Sequence, residues 1–94
     1  SIATSLGAKT VAQRAFDLAC EHPTHCMTVS DAQAIEACER FANAMRVLVE
    51  PACGAALAAI TVHGELLAKF QSPLIEVCGG MGVDLPRLAR WMKP

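Results

Sequence analysis

Residues 46–60 have the sequence RVLVEPACGAALAAI, and this stretch decides the fold that the sequence predicts. The β-preferring run at 47–49 predicts a short strand that leads into Glu50, whose carboxylate would lie near the positive end of a helix dipole. Pro51 suits the first turn of that helix, because its missing N–H would have no intrahelical partner there. From Ala52 to Ile60 every residue is small or apolar, which predicts a helix that is buried on all sides. A strand that leads into a buried helix is typical of an α/β sheet.

The rest of the chain alternates between strand and helix patterns. Strands are predicted at 27–29, 47–49 and 74–78, and helices at 9–21, 30–45, 51–70 and 85–92. Ser30 and Gln33 have the spacing of a capping box, and Asp84 is the predicted N-cap of the last helix. The residues of that helix predicted to face inward are Leu85, Leu88, Ala89 and Met92. The alternation predicts an α/β fold, with a parallel sheet and helices on both of its faces.

Composition and charge exclude several classes of protein. A chain of 94 residues makes at most one small domain, yet 53% of its residues are hydrophobic and its mean hydropathy is +0.36. No apolar run is long enough to span a bilayer, so we expect no membrane association and infer that the chain packs against more protein. The net charge is −1 with both signs interspersed, which argues against nucleic acid as a partner.

The cysteine pattern indicates a reducing compartment. Five cysteines are present, with no CxxC pair and no spacing typical of a disulfide framework, namely Cys20, Cys26, Cys38, Cys53 and Cys78. Reduced thiols of this kind are usual in the cytosol, and a cytoplasmic protein is expected. The chain begins at Ser1 without an initiator Met or a signal-peptide pattern, which we interpret as a cut end.

Two segments are candidate ligand sites. In parallel α/β sheets, ligands bind beyond the carboxyl ends of the strands. The segments that would follow such strand ends are Glu50–Gly54 and Cys78–Gly82. The glycine-rich second segment could be no more than a tight strand-to-loop turn, because it lacks the Lys-Ser/Thr pair of a phosphate-binding loop.

Other polar and thiol groups have less specific patterns. His22, His25 and Cys26 could form a metal cluster, but they flank a helix-breaking proline in a short loop without a fourth ligand. Cys38 and Cys53 are read as small buried side chains, and His63 is expected on the polar side of its helix. A nucleophilic Cys/His pair stays conceivable, although no spacing singles one out.

Several segments together resemble one enzyme family. They are SIATSLGAKTVAQRA at 1–15, EHP at 21–23, SDAQAIEACERF at 30–41, VEPACGAALAAI at 49–60 and VCGG at 77–80. In this order they resemble the carboxyl-terminal portion of the catabolic L-serine/L-threonine dehydratases, pyridoxal-phosphate enzymes of the tryptophan-synthase-β fold type. The resemblance implies a two-domain α/β fold with the cofactor between the domains. It also implies elimination of water from serine or threonine, giving pyruvate or 2-oxobutyrate and ammonia.

The resemblance assigns roles to individual residues. Cys78 would face the pyridine nitrogen of pyridoxal 5'-phosphate with its thiol, and Gly79 would bind the cofactor beside it. A neutral thiol does not hold that nitrogen protonated, which favours β-elimination over transamination. The backbone carbonyls of Leu6 and Ala8 would contribute to a site for a monovalent cation, K⁺, because hard cations take oxygen ligands. Glu50 is read as structural.

The family's other functional segments are missing from the sequence. The lysine that forms the Schiff base lies in a Ser-x-Lys segment and the phosphate in a Ser-Gly-Gly-Asn-type loop, and Lys9, Lys69 and Lys93 match neither setting. Residues 1–94 are therefore expected to be the carboxyl-terminal part of the large cofactor-binding domain, inactive alone. The expected partners are the remaining amino-terminal part of the enzyme, an amino-acid substrate and a second copy of the whole enzyme in a homodimer.

Two alternatives stay open. One is a related enzyme, such as a biosynthetic threonine deaminase or a cysteine synthase. In that comparison Cys78 favours the catabolic dehydratases, because the related enzymes more often carry serine at this position. The other is a non-catalytic module that associates with a full-length homologue.

Overall fold

The computed structural model describes residues 1–93, in which five α-helices follow a short 3-10 turn at Thr4–Leu6. The helices are α1 (Gln13–Glu21), α2 (Asp31–Met45), α3 (Pro51–Val62), α4 (Gly64–Leu67) and α5 (Leu85–Met92). The main packing is between α2 and α3, and α5 contacts α2. None of the helices within residues 1–93 is long and apolar enough to cross a membrane.

The predicted parallel sheet is wrong. Residues 1–93 contain no β-strand, and the three predicted strands at 27–29, 47–49 and 74–78 lie in connecting segments. A ladder needs successive pairs of N–H and C=O groups on neighbouring strands, but between residues 47–50 and 77–80 one backbone hydrogen bond forms, from the Glu50 N–H to the Gly79 carbonyl at 3.0 Å. Short β-preferring runs therefore do not become strands here, because strand formation depends on pairing that these segments do not make with one another.

Helices α2 and α3 approach closely because position 54 has no side chain. A Cβ at Gly54 would lie 2.3 Å from the carbonyl oxygen of Ala34 and 2.5 Å from the Sγ of Cys38. The core at this contact consists of Cys38, Val49, Cys53 and Leu88, all buried. The close approach of the two helices places the first turn of α3 in the interior.

The helix starts are confirmed at three places. Ser30 and Gln33 form both hydrogen bonds of a capping box at the start of α2. Pro51 occupies the first turn of α3, and the Asp84 carboxylate accepts from the Arg87 N–H at 2.8 Å at the start of α5. Capping depends on residues that are close in sequence, which is why the pattern identifies it correctly.

The extents and burial of two helices differ from the prediction. Helix α3 ends at Val62 rather than near residue 70, because His63 leaves helical geometry at φ −121° and ψ 33° before the short α4. Its first turn is buried, but Ile60 is 52% exposed, so burial on all sides is wrong for the described residues. In α5 Leu88 is buried as predicted, whereas the other residues predicted to face inward are exposed, namely Leu85, Ala89 and Met92.

Candidate functional site

The two predicted ligand segments lie against each other at the start of α3. The Glu50 N–H donates to the Gly79 carbonyl, and Glu50 is also the N-cap residue of α3. Position 80 must be small, because a Cβ at Gly80 would lie 2.3 Å from the Leu48 carbonyl oxygen. Although no sheet forms within residues 1–93, the structure therefore brings the Glu50–Gly54 and Cys78–Gly82 segments together.

The carboxylate of Glu50 reaches a third segment. Its Oε2 accepts a hydrogen bond of 2.9 Å from the Ser5 hydroxyl, across 45 positions of sequence. The same oxygen would lie 2.6 Å from a Cβ at Gly82, so the glycine leaves room for the carboxylate. Glu50 thus contacts both the run at residues 5–8 and the turn that follows Cys78.

Cys78 is exposed at the edge of this cluster, close to the buried Cys53. Desolvation by the surrounding protein, and then its hydrogen bond with Cys53, raise the pKa of the Cys78 thiol, and the nearby carboxylate of Glu50 also contributes. The thiol is therefore neutral at neutral pH. The adjacent Gly79 has φ +132°, a conformation that favours glycine, and a Cβ placed there would meet no atom within 4 Å. The space that a side chain at position 79 would occupy is therefore open, and the neighbouring Cys78 is exposed.

Of the two predicted cation ligands, Leu6 ends the 3-10 turn and Ala8 lies two residues beyond it. The Leu6 N–H donates to the Ala3 carbonyl and the Gly7 N–H to the Thr4 carbonyl, which fixes the turn that precedes Ala8. Sequence reasoning singled out the Leu6 and Ala8 carbonyls of this run and missed the Ser5 hydroxyl. Ser5 can be seen in the sequence as the serine that opens the SLGA run. Its hydrogen-bond acceptor, Glu50, is 45 positions away, so sequence spacing does not identify that partner.

The other polar candidates do not form sites. Within residues 1–93 no three His, Cys, Asp or Glu side chains are grouped so that they could hold a metal ion, and the metal-cluster hypothesis for His22, His25 and Cys26 is wrong. The Nε2 of His63 lies 2.9 Å from the Thr28 carbonyl oxygen. This contact links the carboxyl end of α3 to the segment before α2. Cys38 and Cys53 are both buried, as predicted.

Comparison with known proteins identifies the class. A profile of the pyridoxal-phosphate dependent enzyme family matches residues 1–79. The chain therefore belongs to the pyridoxal-phosphate dependent enzymes. Its matched portion includes Cys78 and Gly79, whereas α5 lies beyond it.

Individual relatives show which enzymes of this family the chain is similar to, and they confirm the resemblance drawn from the sequence segments. The chain is 42% identical to the human L-serine dehydratase/L-threonine deaminase over 94% of its own length, and 33% identical to the catabolic L-serine/threonine dehydratase of Saccharomyces cerevisiae over 85%. The crystal structure of an L-serine ammonia-lyase from the fungus Rhizomucor miehei superposes over 97% of this chain, with a TM-score of 0.81 and 35% identity. The chain spans 29% of the human relative, 24% of the yeast relative and 30% of the fungal one.

The residues present fit the cofactor of this family. A pyridine nitrogen that is not to be protonated requires a neutral neighbour, and the raised pKa of the Cys78 thiol provides one. A flat ring also requires space beside that neighbour, and the open position at Gly79 provides it. The chemistry of Cys78 and Gly79 is therefore consistent with the ring end of this cofactor.

Proposed function

We propose that this chain is the carboxyl-terminal part of the cofactor-binding domain of a pyridoxal-phosphate dependent dehydratase acting on L-serine or L-threonine. The observation that carries the proposal is the placement of Cys78 and Gly79 against the start of α3 by the Glu50 N–H. The names of the human, yeast and fungal relatives support the same reaction. The products would be pyruvate or 2-oxobutyrate and ammonia.

The chain's own residues would hold the ring end of the cofactor. Pyridoxal phosphate, when bound, supplies an electron sink for elimination at the β-carbon of the amino acid. The Cys78 thiol would face the pyridine nitrogen and leave it unprotonated, because its raised pKa keeps the thiol neutral. Gly79 would allow the ring to approach the backbone, since it presents no Cβ.

A monovalent cation is proposed at the turn of residues 5–8. The Leu6 and Ala8 carbonyls would be two of its oxygen ligands, and K⁺ is the expected ion. The 3-10 turn at Thr4–Leu6 supports this assignment, because two backbone hydrogen bonds hold the loop. The Ser5 hydroxyl is already occupied by Glu50.

The chain by itself is proposed to be inactive. The lysine that attaches the cofactor and the loop that holds its phosphate would come from the amino-terminal part of the same enzyme, which works as a cytoplasmic homodimer. The lengths of the relatives support this division, because this chain spans 24–30% of the human, yeast and fungal relatives.

The test is performed on the complete gene product and on residues 1–94 expressed alone. We expect the complete protein to show the visible absorbance of bound pyridoxal phosphate and to form pyruvate from serine or 2-oxobutyrate from threonine. Residues 1–94 alone should show neither. A complete protein that binds no cofactor, or that binds it but releases no keto acid from either amino acid, would overturn the proposal. Keto-acid formation by residues 1–94 alone would overturn the division of the active site.

A further inference from the structure

We infer that Glu50 is a positioning residue, whose carboxylate transmits the position of the 5–8 run to the Cys78–Gly82 turn. The inference deepens the proposed function and rests on it for the meaning of the two segments. It gives Glu50 a role beyond capping the helix, because the N-cap position alone does not require a carboxylate to contact two distant loops.

The backbone and the side chain of Glu50 contact different segments. The N–H donates to the Gly79 carbonyl at 3.0 Å, and Oε2 accepts from the Ser5 hydroxyl at 2.9 Å. Its side chain makes no cap hydrogen bond at the start of α3. The carboxylate is therefore directed away from the helix that it precedes and toward the loops.

The Glu50 carboxylate also lies against the turn after Cys78. A Cβ at Gly82 would lie 2.6 Å from Oε2, so the carboxylate occupies the space that a side chain at this position would need. Two glycines of the same turn, Gly80 and Gly82, thus admit backbone or side-chain atoms of residues 48–50. One oxygen atom consequently contacts the 5–8 run on one side and the turn on the other.

These contacts of Glu50 also hold the residue next to Cys78. The turn begins at Cys78, which is exposed and whose backbone is anchored at the next residue by Glu50. Movement of the 5–8 run would reach this thiol through Glu50, because Ser5 is hydrogen-bonded to Glu50 and Glu50 to Gly79, the residue after Cys78. A cation at Leu6 and Ala8 would then alter the setting of the cofactor ring without contacting it.

The experiment measures alkylation of Cys78 in the complete protein freed of cofactor, with peptide mass spectrometry as the readout. A pH profile of the rate separates two effects: the plateau at high pH reports access to the thiolate, and the midpoint reports its pKa. The variants are Glu50→Ala, Glu50→Gln, Ser5→Ala and the double variant, with Glu36→Ala on the exposed surface of α2 as the matched control. Exposed Cys20 on α1 is the internal standard for reagent reactivity.

Glu50→Ala should raise the plateau rate at Cys78 about two- to tenfold, the range expected for the loss of one hydrogen bond. Ser5→Ala should raise it less, and the double variant should match Glu50→Ala, because Ser5 acts through Glu50. Glu50→Gln keeps an acceptor for the Ser5 hydroxyl and should restore most of the original plateau. Glu36→Ala should change nothing.

An unchanged plateau in Glu50→Ala, or additive effects of the two single variants, would overturn the inference. If Glu50→Ala does not fold, the plateau rate of Ser5→Ala tests the inference instead, because that substitution removes only a surface hydroxyl. The potassium dependence of cofactor absorbance is measured on the same variants, and it should weaken in Ser5→Ala and Glu50→Ala. Alkylation needs no cofactor, so the plateau rate tests the role of Glu50 independently of the proposed function. If the plateau changes in a protein that binds no cofactor, the proposed function is contradicted and the role of Glu50 is not.

Discussion

Gly54 of α3 lies directly against the backbone of Ala34 in α2, so close that a Cβ at position 54 would be 2.3 Å from the Ala34 carbonyl oxygen. The atom it would meet belongs to the backbone of a helix and cannot move without displacing that helix. The contact also includes the Sγ of Cys38, which would lie 2.5 Å from the same Cβ. Gly54 therefore sets the distance between the two helices that form the core.

Replacing Gly54 with alanine should destabilise the complete protein by about 2–4 kcal/mol, because overpacking forces α2 and α3 apart and exceeds the gain in helix propensity. Chemical denaturation monitored by circular dichroism measures the effect. Gly64→Ala is the matched control, since no atom lies within 4 Å of a Cβ there. It should change the free energy of unfolding by at most about 1 kcal/mol, in the stabilising direction. Equal effects of the two substitutions would contradict the packing argument.

Replacing Ser30 with alanine should cost about 1 kcal/mol of stability, because the Gln33 N–H loses its acceptor at the start of α2. Thermal and chemical denaturation both report the loss. Ser72→Ala, in the exposed segment after α4, removes the same hydroxyl without a cap and should have almost no effect. Similar values for both variants would mean that the capping box contributes nothing measurable.

Replacing Cys78 with alanine should lower turnover of serine or threonine and shift the absorbance of the bound cofactor, while stability stays unchanged. The physical reason is that the thiol faces the ring nitrogen in the proposed site and is exposed in the described residues. Steady-state kinetics and a visible spectrum of the complete enzyme are the measurements. Cys20→Ala, an exposed thiol on α1, is the control and should leave both unaltered. An unchanged spectrum with unchanged kinetics would remove Cys78 from the site.

The stability of the protein should fall at alkaline pH because of Cys38. Burial, and then the neighbouring Cys53, raise the pKa of the Cys38 thiol from its ordinary value of 9.0 to about 11. A pKa that is higher in the folded state means that folding favours the protonated thiol. This contribution is fully present below pH 9 and is lost as the pH rises through about 11.

Denaturant midpoints measured from neutral to alkaline pH test this sign. Cys38→Ala should flatten the decline above pH 9, apart from the constant loss caused by the smaller side chain. Cys20→Ala should retain the decline of the unaltered protein. A stability that rises over this range, or an equal decline in Cys38→Ala, would contradict the assignment.

Helix starts were predictable because they depend on residues that are neighbours in sequence. Ser30 and Gln33 are three positions apart, and Asp84 caps the Arg87 N–H at the same spacing. Family membership was predictable for a similar reason, since the SLGA, VEPACGAALAAI and VCGG segments can be recognised without coordinates. The predicted sheet is wrong because short runs such as 47–49 carry only a preference for extended backbone. A strand also requires a neighbouring segment with which its backbone groups can pair.

The candidate site was predictable in part. The sequence pointed to Cys78, Gly79 and the segment after Glu50, and these lie together in the structure. It did not identify Ser5, and it placed Glu50 in a candidate ligand segment while reading its side chain as structural. The hydrogen bond that joins this pair spans 45 positions, and no periodicity or spacing encodes a contact of that kind.

The sequence by itself thus determined the family, the helix caps and the residue types available to a cofactor, because these depend on local pattern and chemical identity. Tertiary structure alone decided that Gly54 faces Ala34, that Gly80 lies beneath the Leu48 carbonyl and that one carboxylate contacts both Ser5 and Gly82. The physical reason is steric. Each of these approaches depends on how closely two distant backbones pack, and a glycine permits such an approach without specifying its partner.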